Sequence, residues 1–339
     1  MSLIYCGIDE AGYGPLLGPL CVGLSVFRID AWNEGDAAPD LWALLSRALC
    51  REAADKAHRI AINDSKKLKL ANSSVRRHPL HHLERGVLAA LYAQDAHPFD
   101  DALSTDLDFF RAITASSAGE CWYLGEPAAF PRGPTQAEVA IAANTLRLAL
   151  ADAGVAVLAL RADAVCEGDF NQLVEATGTK AAVTESVIVR YLGDIWDRFG
   201  PDAHNGQGGL RVVCDRQGGR TQYAGLLQRA LPDARITIVA ETPLQSKYEL
   251  RSHARATEPR AMIVTFKVEA ESDHLPVALA SMLAKLTREL MMARFNRYWC
   301  GRMPDLKPTA GYALDARRWL RDVEGCTTPQ ERRALIRRA

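Results

Sequence analysis

Residues 4–15 read IYCGIDEAGYGP, and this stretch decides how the chain is interpreted. The apolar run Ile4–Ile8 contains β-formers and predicts a buried strand. Two adjacent carboxylates, Asp9 and Glu10, end the strand, and a glycine-rich turn follows. Such acids repel each other and lose hydration, and a bound divalent cation would relieve both penalties. We interpret this strand end as a metal site; the alternative is a turn that is acidic without function.

A second strand near the middle of the chain also ends in an acid. The β-branched run Leu210–Cys214 leads into Asp215, and Gly218 and Gly219 follow in a turn. This arrangement repeats that of the first motif, so Asp215 is a further candidate metal ligand. The alternative is an ordinary turn aspartate that caps the next helix.

Four segments resemble motifs of type 2 ribonucleases H (ribonuclease HII), which are metal-dependent endonucleases that cut RNA paired with DNA. Residues 7–19, GIDEAGYGPLLGP, resemble the N-terminal signature, with Tyr13 where the family has Arg. Residues 64–68, DSKKL, resemble the family's Asp-Ser-Lys-Lys-Leu segment. Residues 280–289, ASMLAKLTRE, and residues 310–315, AGYALD, resemble two later motifs in the same order.

The resemblance implies a site of four carboxylates, of which the two acids of the first strand and Asp215 match three. In ribonuclease-H-like folds the strand of the third acid neighbours the first strand. For the fourth acid, counting back from Ser281 without a gap gives Glu271, whereas matching by residue type gives Asp273. We take Glu271 as the fourth metal ligand and keep Asp273 as the second choice, which alternatively caps the following helix. The predicted catalytic residues are therefore Asp9, Glu10, Asp215, Glu271 and Asp273, and the predicted metal ligands are the first four.

The same motifs imply a set of substrate-contacting residues: Gly12, Tyr13, Gly14, Ser65, Lys66, Lys67 and Tyr312. The glycine turn would bring backbone groups near a ribose 2′-OH, and the lysines would hold phosphate. The ring of Tyr312 would stack on the substrate, although a core tyrosine is the alternative. Because Tyr13 replaces a cationic residue, the preference between an RNA–DNA hybrid and ribonucleotide-containing DNA stays open.

The resemblance implies hydrolysis of the RNA strand of a hybrid by a two-metal carboxylate mechanism. An all-oxygen site suits Mg²⁺ or Mn²⁺. One alternative is a non-catalytic nucleic-acid-binding relative with the same fold. Another is a nucleotide-binding α/β enzyme, because Gly12 and Gly14 follow a strand; Gly18, however, falls one residue late for the dinucleotide-binding pattern.

Composition agrees with a cytoplasmic enzyme. The 339 residues include 41 basic and 41 acidic side chains, and 48% are hydrophobic, which is enough for a large core. No apolar run reaches the roughly 18 residues of a membrane span, and no signal peptide is visible. The eight scattered cysteines are typical of reduced thiols. We expect a cytoplasmic monomer without membrane contact.

The expected fold class is α/β, with a ribonuclease-H-like mixed central sheet flanked by helices. We place an insertion at about residues 95–155 and divide the chain into a catalytic domain, residues 1–295, and a helical substrate-contacting region, residues 296–339. The predicted elements include a hairpin partner for the first strand at 20–29, helices at 41–59, 81–96 and 137–150, a strand at 155–160, a helical stretch at 169–199 interrupted near residue 178, and a glycine-rich loop at 204–209.

Overall fold

The computed structural model describes residues 1–94, 103–113, 120–204, 208–253 and 259–338. Seven strands form one mixed sheet in the order β5-β2-β1-β6-β9-β8-β7, and β3 and β4 form a separate pair. The strands are β1 Ser2–Ala11, β2 Leu20–Ile29, β3 Leu49–Cys50, β4 Ile60–Ala61, β5 Val155–Val165, β6 Gly208–Asp215, β7 Ala234–Glu241, β8 Gln245–Ser252 and β9 Ala261–Lys267.

Helices cover both faces of this sheet. They are α1 Leu41–Leu44, α2 Ser65–Leu68, α3 His81–Tyr92, α4 Asp106–Ala112, α5 Gln136–Ala153, α6 Glu167–Thr177, α7 Ala181–His204, α8 Ala224–Ala230, α9 Leu275–Arg302, α10 Ala313–Asp322 and α11 Pro329–Leu335. Short 3₁₀ turns lie at Cys121–Tyr123, Ala270–Ser272 and Glu324–Cys326. The predicted class, α/β with a mixed sheet flanked by helices and a helical C-terminal region, is confirmed.

The central strand β1 is buried on both faces, as its sequence predicts. Leu3 and Tyr5 enter the core that contains α3, α5 and α9, whereas Ile4, Cys6 and Ile8 enter the core under α7 and α8. β2 pairs with β1 antiparallel, and β6 pairs with it in parallel. Because parallel strands end at the same sheet edge, the acids that end β1 and β6 are neighbours.

The long helix α9 lies directly against β1 and β2, and two glycines allow this approach. A Cβ atom added to Gly7 would overlap the backbone of Pro276 and Val277, and one added to Gly23 would overlap the backbone of Ala280. Both contacts fall within the first two turns of α9. The close approach therefore places that end of the helix beside the acidic strand end.

We expect Gly7→Ala to destabilise the fold by about 1–3 kcal/mol, because the new methyl group meets backbone that cannot rotate away. Gly193→Ala is the matched control: this glycine lies inside α7 with open space around its missing Cβ, so alanine should stabilise by up to about 1 kcal/mol. Denaturant unfolding measures both variants. Equal shifts in the unfolding midpoint would show that the packing of α9 against β1 tolerates a side chain.

One element prediction is wrong. Residues 41–59 do not form one helix: α1 ends at Leu44, and Leu49 and Ile60 pair in β3 and β4, where both are buried. The gain from burying this segment against the core outweighs its helical pattern. The loop expected at 204–209 is shorter at both ends, because α7 runs to His204 and β6 begins at Gly208, while 205–207 lie outside the described residues. A Cβ on Gly209 would lie 2.6 Å from the Trp32 ring, so this glycine serves packing.

The helices predicted at 137–150 and 169–199 are present as α5 and as the α6–α7 pair, with Gly178 in a left-handed conformation between them. Of the insertion expected at about 95–155, residues 95–102 and 114–119 lie outside the described part. Helix α9 continues unbroken across residue 295, and the division of the chain at that point remains a prediction. No helix in the described ranges is both long and apolar enough to cross a bilayer.

Candidate active site

A cleft of about 280 Å³ lies at the edge of the sheet where β1 and β6 end. Six separate parts of the chain supply its walls, and most of the residues predicted to form the site are among them. The lining residues are the four predicted metal ligands Asp9, Glu10, Asp215 and Glu271, the turn 11–15, Asp64, Ser65 and Lys66 at the start of α2, Ser281 and Lys285 on α9, and Tyr312.

The two acids of β1 lie in an environment that disfavours their charged forms. Asp9 is only 8% exposed, and its Oδ1 accepts the backbone N–H of Glu10 at 2.7 Å. Burial raises the pKa of Asp9 well above its usual value, and the charges of Glu10 and Asp215 raise it further. Burial and then the charge of Asp215 raise the pKa of Glu10 to about 7, while Lys66 acts in the opposite direction.

Asp215 and Glu271 join Asp9 and Glu10 in lining the cleft, and these four acids form its acidic wall. Asp215 Oδ1 accepts the backbone N–H of Ala270 at 3.0 Å, which fixes the 3₁₀ turn carrying Glu271 against the end of β6. Burial is the main cause that raises the pKa of each carboxyl group. The Oε2 atom of Glu271 is buried and has no hydrogen-bond partner. A buried carboxylate oxygen left this way is suited to a cation.

Two of the predicted residues lie away from the cleft. Asp273 forms an ion pair with Lys267, and this pairing lowers the pKa of the aspartate. Its side chain is 59% exposed, so it neither joins the acidic wall nor caps α9. Lys67 is exposed and does not line the cleft, whereas its neighbour Lys66 does. Of the two candidates for the fourth acid, the structure therefore places Glu271 in the cleft and Asp273 outside it.

Three polar residues of the cleft were not singled out from the sequence. Asp64 caps α2 by accepting the N–H of Lys66 at 2.9 Å, and it faces the same cleft. Ser281 hydrogen-bonds Ser65 at 3.1 Å and also bonds the carboxylate of Asp9, whose pKa it lowers. Lys285 lies one turn further along α9. The spacing of Ser281 and Lys285 by four residues could have identified one shared helix face.

Two buried arginines pack against the glycine turn and the neighbouring Tyr312. Gly12 has φ of +93°, and a Cβ there would lie 2.7 Å from the Pro19 carbonyl oxygen, so only glycine fits. Arg337 donates to the carbonyl oxygens of Tyr13 and Pro15. The guanidinium of Arg288 lies 5.5 Å from the ring centre of Tyr312.

Two tyrosine rings near the turn keep an exposed surface that could contact a ligand. The side chains of Tyr13 and Tyr312 are 40% and 48% exposed, respectively, and both line the cleft. Tyr312 is therefore not the core tyrosine that was the alternative to a stacking role.

The donor set of the cleft fits a hard divalent cation. All four acids offer oxygen, the ligand type that Mg²⁺ and Mn²⁺ prefer, and their mutual repulsion would be relieved by an ion. In the part of the chain that the structure describes, the only three candidate ligand atoms within 4.8 Å of one another belong to other residues. The four acids thus share a cleft without forming a closed coordination shell in this conformation.

The raised pKa of Glu10 predicts that the metal-free protein loses folding stability as pH rises. Its pKa is about 7 in the folded state against an ordinary 4.5, so between these values the folded protein binds more protons and loses stability as pH rises. Glu10→Gln should therefore gain at least about 1.4 kcal/mol over the wild type across this range, the equivalent of one pKa unit.

The quantity to measure is the difference in free energy of unfolding between Glu10→Gln and the wild type, in EDTA at pH 4.5 and 7.5. His82 and His274 have pKa values lowered to about 4 by burial, and they titrate with the opposite sign over the same range in both proteins. Saturating Mg²⁺ should remove the advantage of the variant, because the ion stabilises the charged carboxylate. A constant difference at the two pH values would show that Glu10 is not held in a raised-pKa environment.

No family model and no curated relative matches the sequence. Solved structures do match its fold along almost the whole chain. Ribonuclease HII of Archaeoglobus fulgidus, solved with PCNA, has 13% identity and a TM-score of 0.39 over 98% of this chain and 93% of its own. Ribonuclease H2 of Pyrococcus horikoshii OT3 has 14% identity and a TM-score of 0.42 over 100% and 93%, respectively.

The structural neighbours are type 2 ribonucleases H. A third one, Bst-RNase HIII in complex with Mn²⁺, has 15% identity and a TM-score of 0.38 over 99% of this chain and 66% of its own. At these identities and TM-scores, no activity, metal or substrate is transferred from the neighbours to this chain. The chemistry of this chain is instead inferred from its own motifs and cleft.

Proposed function

We propose that this chain is a metal-dependent ribonuclease of the type 2 ribonuclease H kind, which hydrolyses the RNA strand of RNA–DNA hybrids. The supporting observation is that four acids from three distant segments line one cleft together with Lys66, the glycine turn and Tyr312. A purely structural cluster would be expected to pair its acids with cations, as Asp273 is paired with Lys267.

Each part of the cleft has a role in this proposal. Asp9, Glu10, Asp215 and Glu271 would hold Mg²⁺ or Mn²⁺, and the ions when bound supply an activated water and offset charge on the phosphate. Lys66 is placed to donate to a phosphate oxygen of the substrate. The backbone of the turn 12–14 would contact the ribose, and the ring of Tyr312 offers a stacking surface.

The substrate is proposed to be a hybrid duplex or DNA that contains ribonucleotides. Tyr13 brings an exposed ring, rather than a cation, to the turn that faces the cleft. A phosphate contact beside the ribonucleotide would therefore have to come from another residue, which favours a continuous hybrid as the substrate. The cytoplasmic location and the monomeric state remain predictions from sequence.

Cleavage of an end-labelled RNA–DNA hybrid tests the proposal. We expect RNA fragments to form in Mg²⁺ or Mn²⁺ and not in EDTA, with DNA duplex of the same sequence left uncut. Binding of the hybrid without any cleavage in either metal would instead identify a non-catalytic nucleic-acid-binding protein.

The choice of fourth carboxylate gives a paired prediction. Glu271→Gln should lower the cleavage rate by about 10- to 100-fold, because it removes charge from the acidic wall while keeping the shape of the side chain. Asp273→Asn is the matched control, two residues away and outside the cleft, and it should stay within about twofold of the wild type. Initial rates in Mg²⁺ measure both. The opposite ranking would make Asp273 the fourth ligand and require the 3₁₀ turn to rearrange.

A further inference from the structure

Three potential metal ligands meet outside the cleft, where the segment beginning at Glu120 packs against the start of α6. The carboxylates of Glu120 and Glu167 and the thiol of Cys166 each offer one ligand atom, and these atoms all lie within 4.8 Å of one another. Cys166 and Glu167 are 1% and 0% exposed, respectively, and Glu120 is half-buried.

The hydrogen bonds of this trio satisfy only half of its carboxylate oxygens. Glu167 Oε1 accepts the N–H of Gly18 at 2.9 Å and the hydroxyl of Tyr123 at 2.8 Å. Glu120 Oε1 accepts the N–H of Gly168 at 2.9 Å. The second oxygen of each carboxylate is buried and has no hydrogen-bond partner. Leaving such an atom unpaired in the interior is destabilising, so a further group is expected between the two acids.

Charge favours a cation over a neutral group at this position. The nearby guanidinium of Arg337 attracts Glu167, but it donates its hydrogen bonds to the carbonyl oxygens of Tyr13 and Pro15, and its Nη1 atom has no hydrogen-bond partner. No ion pair joins Glu120 or Glu167 to any residue within the described ranges. Two buried carboxylates therefore lack a direct counter-charge, a situation that a metal ion resolves.

We propose that Glu120, Cys166 and Glu167 bind a Zn²⁺ ion. A thiolate combined with carboxylate oxygens suits zinc, which accepts both, better than Mg²⁺, which prefers oxygen alone. Three protein ligands leave a fourth position for water. The half-buried Glu120 marks the side from which the ion enters.

The position of this zinc site indicates a structural role. Glu120 belongs to the inserted part of the chain, Cys166 and Glu167 lie where β5 passes into α6, and Gly18 belongs to the loop between β1 and β2. An ion here would fasten the inserted segment to the loop that continues from the glycine turn of the cleft. It would do so whether or not the chain is a nuclease, so this inference stands independently of the proposed function.

Cobalt substitution tests the site, because a Co²⁺–thiolate bond produces a charge-transfer band in the near ultraviolet. Titration of CoCl₂ into the metal-free full chain should produce this band with the intensity of one cobalt–thiolate bond per chain, whatever further Co²⁺ the cleft binds, and ZnCl₂ should then remove it. The four-carboxylate cleft has no cysteine among its lining residues and cannot give the signal. Asp9→Asn should therefore keep the band in full.

Two cysteine variants form the matched pair. Cys166→Ala should abolish the band, whereas Cys121→Ala, which removes the exposed neighbour of Glu120, should retain it. If Cys166→Ala does not fold, as judged by circular dichroism, Glu120→Gln replaces it and should weaken Co²⁺ binding about tenfold or more. A wild type without the band, a band that survives Cys166→Ala, or unchanged affinity in Glu120→Gln would each overturn the proposal. A buried water or a shared proton would then satisfy the two carboxylates.

Discussion

Asp9→Asn should lower metal-dependent cleavage of an RNA–DNA hybrid by about a thousandfold or more. Asp9 is the most buried of the four acids, and the charges of both Glu10 and Asp215 act on its carboxyl group. The charge stabilisation that a catalytic ion supplies amounts to several kcal/mol, and a loss of about 4 kcal/mol corresponds to a thousandfold in rate. Initial rates with saturating Mg²⁺ and with Mn²⁺ measure the effect.

The same variant should fold at least as stably as the wild type in EDTA at pH 7.5. Asparagine keeps an oxygen for the N–H of Glu10, and it removes one of several crowded like charges. Lost activity with retained stability therefore separates a role in metal binding from a role in folding. Cleavage within about threefold of the wild type would rule out Asp9 as a ligand, and strong destabilisation in EDTA would show that its charge supports the fold.

The sequence predicts the acidic wall because the signal is local. A buried strand that ends in acids beside glycines is visible in a dozen residues, and Asp9, Glu10 and Asp215 each stand in such a context. Placing Asp215 beside β1 additionally required the resemblance to a known fold, and the parallel pairing of β1 with β6 agrees with it. The metal-binding roles of these residues remain proposals.

Other features depend on packing that the sequence does not display. Asp64 resembles an ordinary helix cap, and only the tertiary arrangement turns it toward the cleft. The position of Asp273 outside the cleft depends on Lys267, which pairs with it at the end of β9. Residues 41–59 have a helical pattern, yet the core they cover favours a short helix followed by paired strands. In each case a distant partner, rather than local propensity, sets the outcome.

A buried ion pair holds α4 to α9, and Arg294→Ala should destabilise the protein by about 3–5 kcal/mol. Nη1 of Arg294 contacts both carboxylate oxygens of Asp106 at 3.0 and 2.9 Å, and the two side chains are 2% and 0% exposed. The same guanidinium donates to the carbonyl oxygens of Tyr123 at 2.6 Å and Gly125 at 2.7 Å. Removing the arginine leaves a buried carboxylate and two carbonyl groups without their partner. Denaturant unfolding measures the loss.

Arg297→Ala is the matched control for this prediction. Arg297 lies one turn further along α9 and also contacts the stretch between α4 and α5, through the carbonyl oxygen of Glu126 at 2.8 Å, but it is exposed. Its removal should change stability by no more than about 0.5 kcal/mol. Adding Asp106→Asn to Arg294→Ala should recover part of the loss, because the stranded charge is then gone. A cost below about 1 kcal/mol for Arg294→Ala would show that the ion pair does not anchor the segment.

The Arg294 variant also tests whether the Arg294–Asp106 ion pair affects only stability or also the activity of the cleft. Arg294 does not line the acidic cleft, and its partners all lie in α4 or between α4 and α5. If the proposed function holds, the folded variant should cleave a hybrid at a rate close to that of the wild type at low temperature and should lose activity at a lower temperature. A large loss of rate in the folded variant would instead mean that the stretch from α4 to α5 shapes the cleft itself. The temperature dependence of the initial rate, set beside the unfolding curve, distinguishes the two.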